Sequence, residues 1–263
     1  MLYFELKDNI MRISLASDIH LEFYGKNEWI PNHTDMDILI LAGDIHTGYQ
    51  ALPWIAKHFA HVPHILYVLG NHEFYGSNYA VTKHYRKMQE KADLHGLKNL
   101  TVLQNKFVDI NGVRFLGATL WTDYRLGGNQ PLNMFNAQNQ MNDYKHIRYY
   151  TSRVKTTDLL KENAESKQFL FSNLSDSKNV VITHHQPVFF SNNDDRIGDL
   201  VSCYYNTLDN DICYSEKPID YWFAGHTHGD DIDQVIGNTH IVSNMHGYVF
   251  SRKTPFVFKD FEL

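Results

Sequence analysis

Acid, amide and histidine side chains recur in five short blocks along this chain, and each block follows directly on an apolar run. The first is Ser17-Asp18-Ile19-His20. In an extended segment residues i and i+2 point the same way, so Asp18 and His20 can face one point in space. A carboxylate beside an imidazole is a partial shell for a divalent transition metal. The second block ends in Gly43-Asp44, where the glycine allows a bend and the carboxylate projects beyond the strand. The third, Gly70-Asn71-His72-Glu73, puts an amide, an imidazole and a carboxylate in succession with no apolar residue among them. The fourth is Thr183-His184-His185-Gln186-Pro187, and packing gives no reason for paired histidines before a proline. The fifth, Gly225-His226-Thr227-His228-Gly229, repeats the i, i+2 spacing between two glycines and is the strongest local signal.

Taken singly, Asp18-x-His20 and Gly43-Asp44 read as routine turn and loop residues. Taken together, the blocks offer carboxylates, an amide and several imidazoles. That is more than one four- to six-coordinate ion can use, whereas two adjacent ions bridged by a carboxylate would use them all. Oxygen and nitrogen ligation suits Mn, Fe, Zn, Co or Ni. The set disfavours an iron–sulfur cluster and is too rich in imidazole for a Ca²⁺ or pure Mg²⁺ site.

The elements that must position these blocks are short runs rich in Ile, Val, Leu and Tyr, at residues 11–16, 37–42, 64–69, 113–120, 179–183, 221–224 and 240–243. They read as strands buried on both faces. Helical spacing appears over 49–61, 78–94 and 156–173. Residues 107–110 and 113–116 flank Asn111-Gly112, which predicts a hairpin with a type I′ turn. Alternating strands and helices with one antiparallel hairpin imply an α/β architecture with mixed pairing. In open α/β sheets, ligands bind beyond the carboxyl ends of the strands, where all five blocks lie. Residues 1–263 read as a single domain, with polar, aromatic excursions near 121–153 and 189–218 of the kind that line active sites.

Composition narrows the function. The chain of 263 residues carries 24 basic and 30 acidic side chains, a net charge of −6, and lacks the basic stripe that a long nucleic acid would need. No apolar stretch approaches the roughly 20 residues that span a bilayer. Residues 1–10 include Glu5, Lys7 and Asp8 and do not read as a secretory signal, so a cytoplasmic location without membrane association is expected. Cys203 and Cys213 are expected to be free thiols, since two cysteines make no disulfide framework.

The five blocks resemble the signature of the calcineurin-like metallophosphoesterases. All are present in order from Asp18 to His228, so the resemblance covers most of the chain. It implies a four-layer αββα sandwich of two mixed β-sheets flanked by helices. It implies that Asp18, His20, Asp44 and His228 hold one divalent transition-metal ion. Asp44, Asn71, His184 and His226 would hold a second, with Asp44 bridging. His184 is taken as the ligand because it directly follows its strand, and His185 is the alternative. His46, which follows the second block, is read as a surface or supporting residue. His72 is left as the catalytic group facing the substrate phosphate, with Asp18 a candidate to orient it.

The expected reaction is hydrolysis of a phosphate mono- or diester, on a small phosphorylated molecule or nucleotide, by attack of a metal-bound hydroxide. His72 would protonate the leaving oxygen. A phosphoprotein phosphatase, a nuclease of the same family and a non-catalytic scaffold are the rival readings. Every expected ligand position is filled, which argues against the scaffold. Selectivity is expected around residues 121–124, 133–148 and 192–214, although their aromatics also suit a role in covering the sheet edge.

Overall fold

A computed structural model describes residues 10–25, 29–76, 80–190, 198–228, 231–250 and 255–263. Residues 1–9, read above as no secretory signal, positions 78 and 79 of the second expected helix, 191–197 of the second excursion and Gly229 lie outside the described residues. In chain order the elements run β1 (Arg12–Ala16), β2 (Ile38–Ala42), α1 (Ala51–Phe59), β3 (His64–Val68), α2 (Val81–Leu94), β4 (Leu100–Val102), β5 (Lys106–Ile110) and β6 (Val113–Ala118). Then come α3 (Gln130–Gln140), α4 (Asp143–His146), the small pair β7 (Arg148–Tyr149) and β8 (Ser152–Arg153), α5 (Thr156–Ser172), β9 (Asn179–Thr183) and α6 (Asp209–Cys213). The chain ends with β10 (Tyr221–Ala224), β11 (Asp233–Ile236), β12 (Thr239–Ser243) and β13 (Lys259–Glu262).

Among the described residues, one sheet has the order β13-β1-β2-β3-β4 and the other β11-β12-β10-β9-β6-β5. Strands β1 to β4 pair in parallel, as do β6, β9, β10 and β12, while β13, β11 and β5 join antiparallel at sheet edges. Both sheets are therefore mixed, as expected. Alternation along the strands builds the layers. Ile13, Leu15, Ile38, Ile40, Leu66 and Val68 from the first sheet meet Phe115, Val180, Ile182, Phe223 and Val242 from the second in a core between the sheets. The opposite face of the first sheet, with Leu39, Leu41, Ile65 and Tyr67, packs on Leu52, Ile55 and Phe59 of α1 and Met88 and Ala92 of α2. The far face of the second sheet, with Leu116, Val181, Trp222 and Ile241, packs on Leu170 of α5 and Ile212 of α6. This is the four-layer αββα sandwich.

The helices begin and end close to the expected positions, and two carry visible start signals. In α5 the Asp158 carboxylate accepts the Lys155 N–H at 2.9 Å. In α3 the Asn129 side chain accepts the Leu132 N–H, with Pro131 in the first turn where its missing donor costs nothing. Helices α3 and α4 sit within the first excursion, and Trp121, Tyr124, Tyr144 and Tyr149 of that excursion are buried against the first sheet's outer core. No helix among the described residues is long and apolar enough to cross a membrane. Cys203 is buried, Cys213 is exposed, and both are free thiols.

The parallel strands aim the chemistry. Their carboxyl ends point the same way, and the turns that follow continue the ladder between chains. Asp18 N–H donates to the Gly43 carbonyl at 2.9 Å, and His20 N–H to the Asp44 carbonyl at 3.0 Å. Gly225 N–H donates to the His184 carbonyl at 2.8 Å. The two sheets are joined at this end by Ser17, whose N–H donates to Asn244 and whose carbonyl accepts from His246.

The β5–β6 hairpin has the turn its sequence predicts. Ile110 faces Val113, and Asn111 and Gly112 have φ of 49° and 80°. Both lie in the left-handed region that a type I′ turn requires. A Cβ on Gly112 would meet nothing within 4 Å. Gly112→Ala therefore tests backbone conformation alone, and a loss of about 1 kcal/mol is expected. In thermal denaturation this should lower the midpoint by roughly 2–4 °C.

Candidate metal centre

Asp44 lies at the centre of the polar end of the sandwich, almost fully buried. Its Oδ2 is 3.5 Å from His184 Nε2, 3.7 Å from His20 Nε2 and 4.0 Å from His72 Nε2. Its Oδ1 accepts the His72 N–H at 2.8 Å. Asp18 Oδ1 is 3.0 Å from His228 Nε2, and both Asp18 oxygens accept the His226 N–H at 3.0 Å. His20 Nε2 and His228 Nε2 are 2.8 Å apart. On the other side of Asp44, His184 Nε2 is 3.1 Å from both Asn71 Oδ1 and His226 Nδ1. The seven residues expected from sequence thus form two groups that share Asp44. One is Asp18, His20, Asp44 and His228; the other is Asp44, His184 and His226, with Asn71 against His184.

The outer hydrogen bonds decide what the inner nitrogens can do. His184 Nδ1 donates to the Ala42 carbonyl at 2.9 Å, which leaves Nε2 as the inward nitrogen. His20 Nδ1 donates to Glu22 Oε1 at 3.0 Å, which leaves its Nε2 inward as well. In the neutral rings both inward nitrogens carry lone pairs and face carboxylate or amide oxygens. Lone pairs facing one another repel unless a cation, either a proton or a metal ion, lies between them. Fixing a ligand imidazole through its outer N–H is how proteins set metal-site tautomers. His226 adds a fully buried ring whose Nδ1 faces His184 while its Nε2 has no hydrogen-bond partner among the described residues. The donor set fits two divalent ions of the oxygen- and nitrogen-loving kind.

Charge in the metal-free state follows the same pattern. Burial works against ionisation of Asp44, and the His184, His72 and His20 imidazoles overcome it and hold its carboxyl well below the usual range. Burial lowers His184, and Asp44 and Asp18 overcome that and push it up to about 10. The paired ring behaves differently. Burial and the neighbouring His184 push His185 down to about 3, and its Nδ1 lies 3.3 Å from the Thr119 carbonyl. His185 also packs on the rings of His226 and Trp121. Of the two candidates it is His184 that reaches the cluster.

Backbone strain is concentrated at the same residues. Asp18, His20, Asp44, His226 and His228 all have positive φ, between 50° and 78°. Such a conformation costs a non-glycine residue of order 1–3 kcal/mol and persists only where the surroundings impose it. Glu73 supplies part of that restraint. Its buried carboxylate accepts N–H groups of Asp44, Ile45, His46 and Gly70 and the Tyr67 hydroxyl, pinning the turns after β2 and β3 together. Burial and the Asp44 charge push its carboxyl up to about 7 against those donors. Gly70 is required by close approach, since a Cβ there would come within 2.6 Å of the Asp44 nitrogen and 2.7 Å of His184 Cε1.

His72 sits beside the two groups. Its Nδ1 donates to Glu22 Oε1 at 2.8 Å, so one carboxylate oxygen holds both His20 and His72. The partner that orients His72 is therefore Glu22, not Asp18, which is committed to His226 and His228. Glu22 stands two residues beyond His20, and extending the i, i+2 pattern by one step would have found it. Asp143 had no such signal. It comes from α4, 72 residues from Asn71, and accepts from Asn71 Nδ2 at 2.9 Å and from the Tyr75 hydroxyl. That bond turns the amide so that Asn71 Oδ1 faces His184. His46 is a supporting residue as expected, partly exposed and 3.9 Å from Glu22 Oε2.

The cluster opens into a cleft of about 450 Å³. Asp44, Asn71, His72, His226 and His228 form its floor, and Gln140, Met141, Asn142, Leu200, Tyr204, Tyr248 and Phe250 are among its walls. Parts of the 133–148 and 192–214 segments line it as expected. The 121–124 segment does not, because Trp121 and Tyr124 are packed in the core. The walls contributed by Tyr248 and Phe250 were not expected.

The family model described as calcineurin-like phosphoesterase matches residues 11–230. An uncharacterised protein of Acanthamoeba polyphaga mimivirus is 26% identical over 282 residues, covering 94% of this chain and 95% of that protein. The crystal structure of a phosphopantetheinyl hydrolase from Mycobacterium tuberculosis superposes with a TM-score of 0.72 at 16% identity, covering 95% of each chain.

The raised His184 value gives a test of the centre. Its folded value of about 10 lies above the ordinary histidine value of about 6.5. In metal-free protein this contributes stability that is complete below about pH 6.5 and is lost as pH rises towards 10. A metal ion replaces that proton and is favoured by its loss. Thermal midpoints measured with a chelator and with Mn²⁺ should therefore diverge as pH rises from 6.5 to 9. A gap that stays constant over this range contradicts the assignment.

Proposed function

The chain belongs to the calcineurin-like phosphoesterase family, which makes it a hydrolase of phosphoric ester bonds, and on that premise we propose that it cleaves a phosphate mono- or diester of a small molecule at the Asp44 cluster. The observation that carries this reading is Asp44 Oδ2, which faces three imidazole nitrogens within 4.0 Å. In two of those rings, His184 and His20, the outer nitrogen is already bonded elsewhere. Asp18, His20, Asp44 and His228 would hold one divalent ion, and Asp44, Asn71, His184 and His226 the other, with Mn, Fe, Zn, Co or Ni all suited to the donors. When bound, the pair supplies Lewis acidity to the phosphoryl oxygens and makes water nucleophilic near neutral pH.

This chain's own residues do the remaining work. Glu22 fixes His72 through Nδ1, which turns Nε2 towards the cleft floor. Burial lowers His72, and Asp44 and Glu22 overcome it and push it up to about 9 in the metal-free protein, while the Nδ1 bond to Glu22 leaves Nε2 as the nitrogen that can carry a further proton. A protonated imidazole aimed at the cleft can hydrogen bond the phosphoryl group and give its proton to the leaving oxygen. Glu22 remains its partner when a cation draws on the Asp44 charge. Asp143 holds Asn71 in the orientation that keeps its carbonyl oxygen inward.

Chelation should abolish hydrolysis of a simple phosphoester and Mn²⁺ should restore it. Asp44→Asn removes the shared charge and should leave purified protein with less than its full complement of both ions by elemental analysis. Full metal content together with full activity in that variant would sink the two-ion reading. His72→Ala should keep its metal and lose roughly 10²–10⁴-fold in kcat. The loss should be greatest for esters with poor leaving groups; an equal loss for good and poor leaving groups contradicts the proton-donor role.

A further inference from the structure

Two aromatic rings, Tyr248 and Phe250, line the cleft, and Phe23 packs against both. Phe250 is 75% exposed and Phe23 is 45% exposed, although both lie beside the polar floor. Tyr248 and Phe250 are parallel and stack on one another, 12° apart with centroids 5.2 Å from one another, so Phe250 ends the stack and turns its other face outward. Phe23 meets both edge-on, at 88° and 83°, which braces the stacked pair. Tyr248 in turn packs on His20 at 4.7 Å and on His228 at 4.5 Å. The aromatic surface thus begins one ring away from the cluster and runs outward along the cleft wall.

Exposed aromatic surface on a soluble protein marks a binding site when it is contiguous and rimmed by polar groups. Here the rim includes the amides of Gln140 and Asn142, which can both donate and accept. The cleft volume of about 450 Å³ suits a small molecule rather than a polypeptide. The outer face of Phe250 at the end of that stack, with amides nearby to meet polar edges, matches a planar heteroaromatic ring that would extend the stack by one. An alkyl chain cannot extend a stack and leaves the amides unused.

We propose that Tyr248, Phe250 and Phe23 form a stacking platform for the base of a nucleotide whose phosphoryl group lies at the Asp44 cluster. The proposal rests on the phosphoesterase reading and adds the substrate class. Stacking tolerates any base, so the platform selects a nucleoside from a sugar or an alkyl group, and discrimination among bases falls to the amides.

The test compares a nucleoside 5′-monophosphate with a short alkyl phosphate, both assayed with Mn²⁺, in the wild type and in Phe250→Ala. The ratio of their kcat/KM values should favour the nucleotide and fall roughly ten- to hundredfold in the variant, the range expected for one lost base–aromatic stack. Phe250→Trp should restore the ratio. Leu94→Ala, at an 85% exposed position on the end of α2, should leave it unchanged. Calorimetric binding of a nucleoside 5′-phosphonate, which has no ester bond at that phosphorus to cleave, should weaken by the same factor in Phe250→Ala. If alkyl phosphate and nucleotide are cleaved equally well, and Phe250→Ala changes neither the ratio nor phosphonate binding, the platform is overturned while the phosphoesterase reading stands. If the phosphonate binds and binding needs Phe250, but no ester is cleaved, the platform is supported and the catalytic reading fails.

Discussion

A single buried carboxylate with imidazoles on three sides is the constraint on which this structure is built. Asp44 is almost fully buried, and its Oδ2 has His184, His20 and His72 nitrogens within 4.0 Å. An unpaired buried charge costs several kcal/mol, so the surroundings must supply cations or donors. They do so through residues from both sheets: His20 and His72 follow strands of the first sheet, and His184 follows β9 of the second. The two sheets must therefore meet edge to edge at their carboxyl ends, as well as face to face in the core. The Ser17 bonds to Asn244 and His246 make that junction in the backbone.

The turns bear the consequences. Placing five side chains of the cluster in position takes five non-glycine residues into the left-handed region. Local sequence does not favour this, and Asp18, His20, Asp44, His226 and His228 hold it because each is tied elsewhere. Glu73 illustrates the division of labour. It stands in the same block as Asn71 and His72 and has the chemistry of a ligand, yet its carboxylate is spent on backbone N–H groups and Tyr67. A residue outside the two groups around Asp44 sets the geometry of those within them.

Much of this was legible in the sequence because parallel strands turn linear order into spatial order. Once residues 11–16, 37–42, 64–69, 179–183 and 221–224 are strands of parallel sheets, the blocks that follow them must share one end of the molecule. The hairpin at Asn111-Gly112 was legible for a local reason, the left-handed preference of its two turn residues. The edge strands β11 and β13 were not, because one-sided burial and mixed charge give them no continuous apolar run. Asp143 was hidden because its partner is far away in sequence, and a buried carboxylate inside a polar segment looks like any exposed one. For Trp121 and Tyr124 the sequence left both a cleft wall and a covering role open, and the structure buries them, since aromatic content alone does not separate a cleft wall from a core.

The same logic explains where selectivity resides. The residues around Asp44 are closely held: Asp18, His20, Asp44, His226 and His228 sit in strained turns, and His20 and His184 are bonded through their outer nitrogens. The walls are not bound in this way. Gln140 and Asn142 come from the end of α3 and the turn before α4, Leu200 and Tyr204 from the second excursion, and Tyr248 and Phe250 from the segment after β12. Tyr204 is tied to the turn after β9, its carbonyl accepting the Gln186 N–H at 3.3 Å, whereas Phe250 stands at the rim. Phe250 can thus be three-quarters exposed without penalty to the fold, and a change there alters what enters the cleft without disturbing the atoms around Asp44. Phosphoryl chemistry is fixed by strand ends, whereas the identity of the substrate is left to segments that the strands do not constrain.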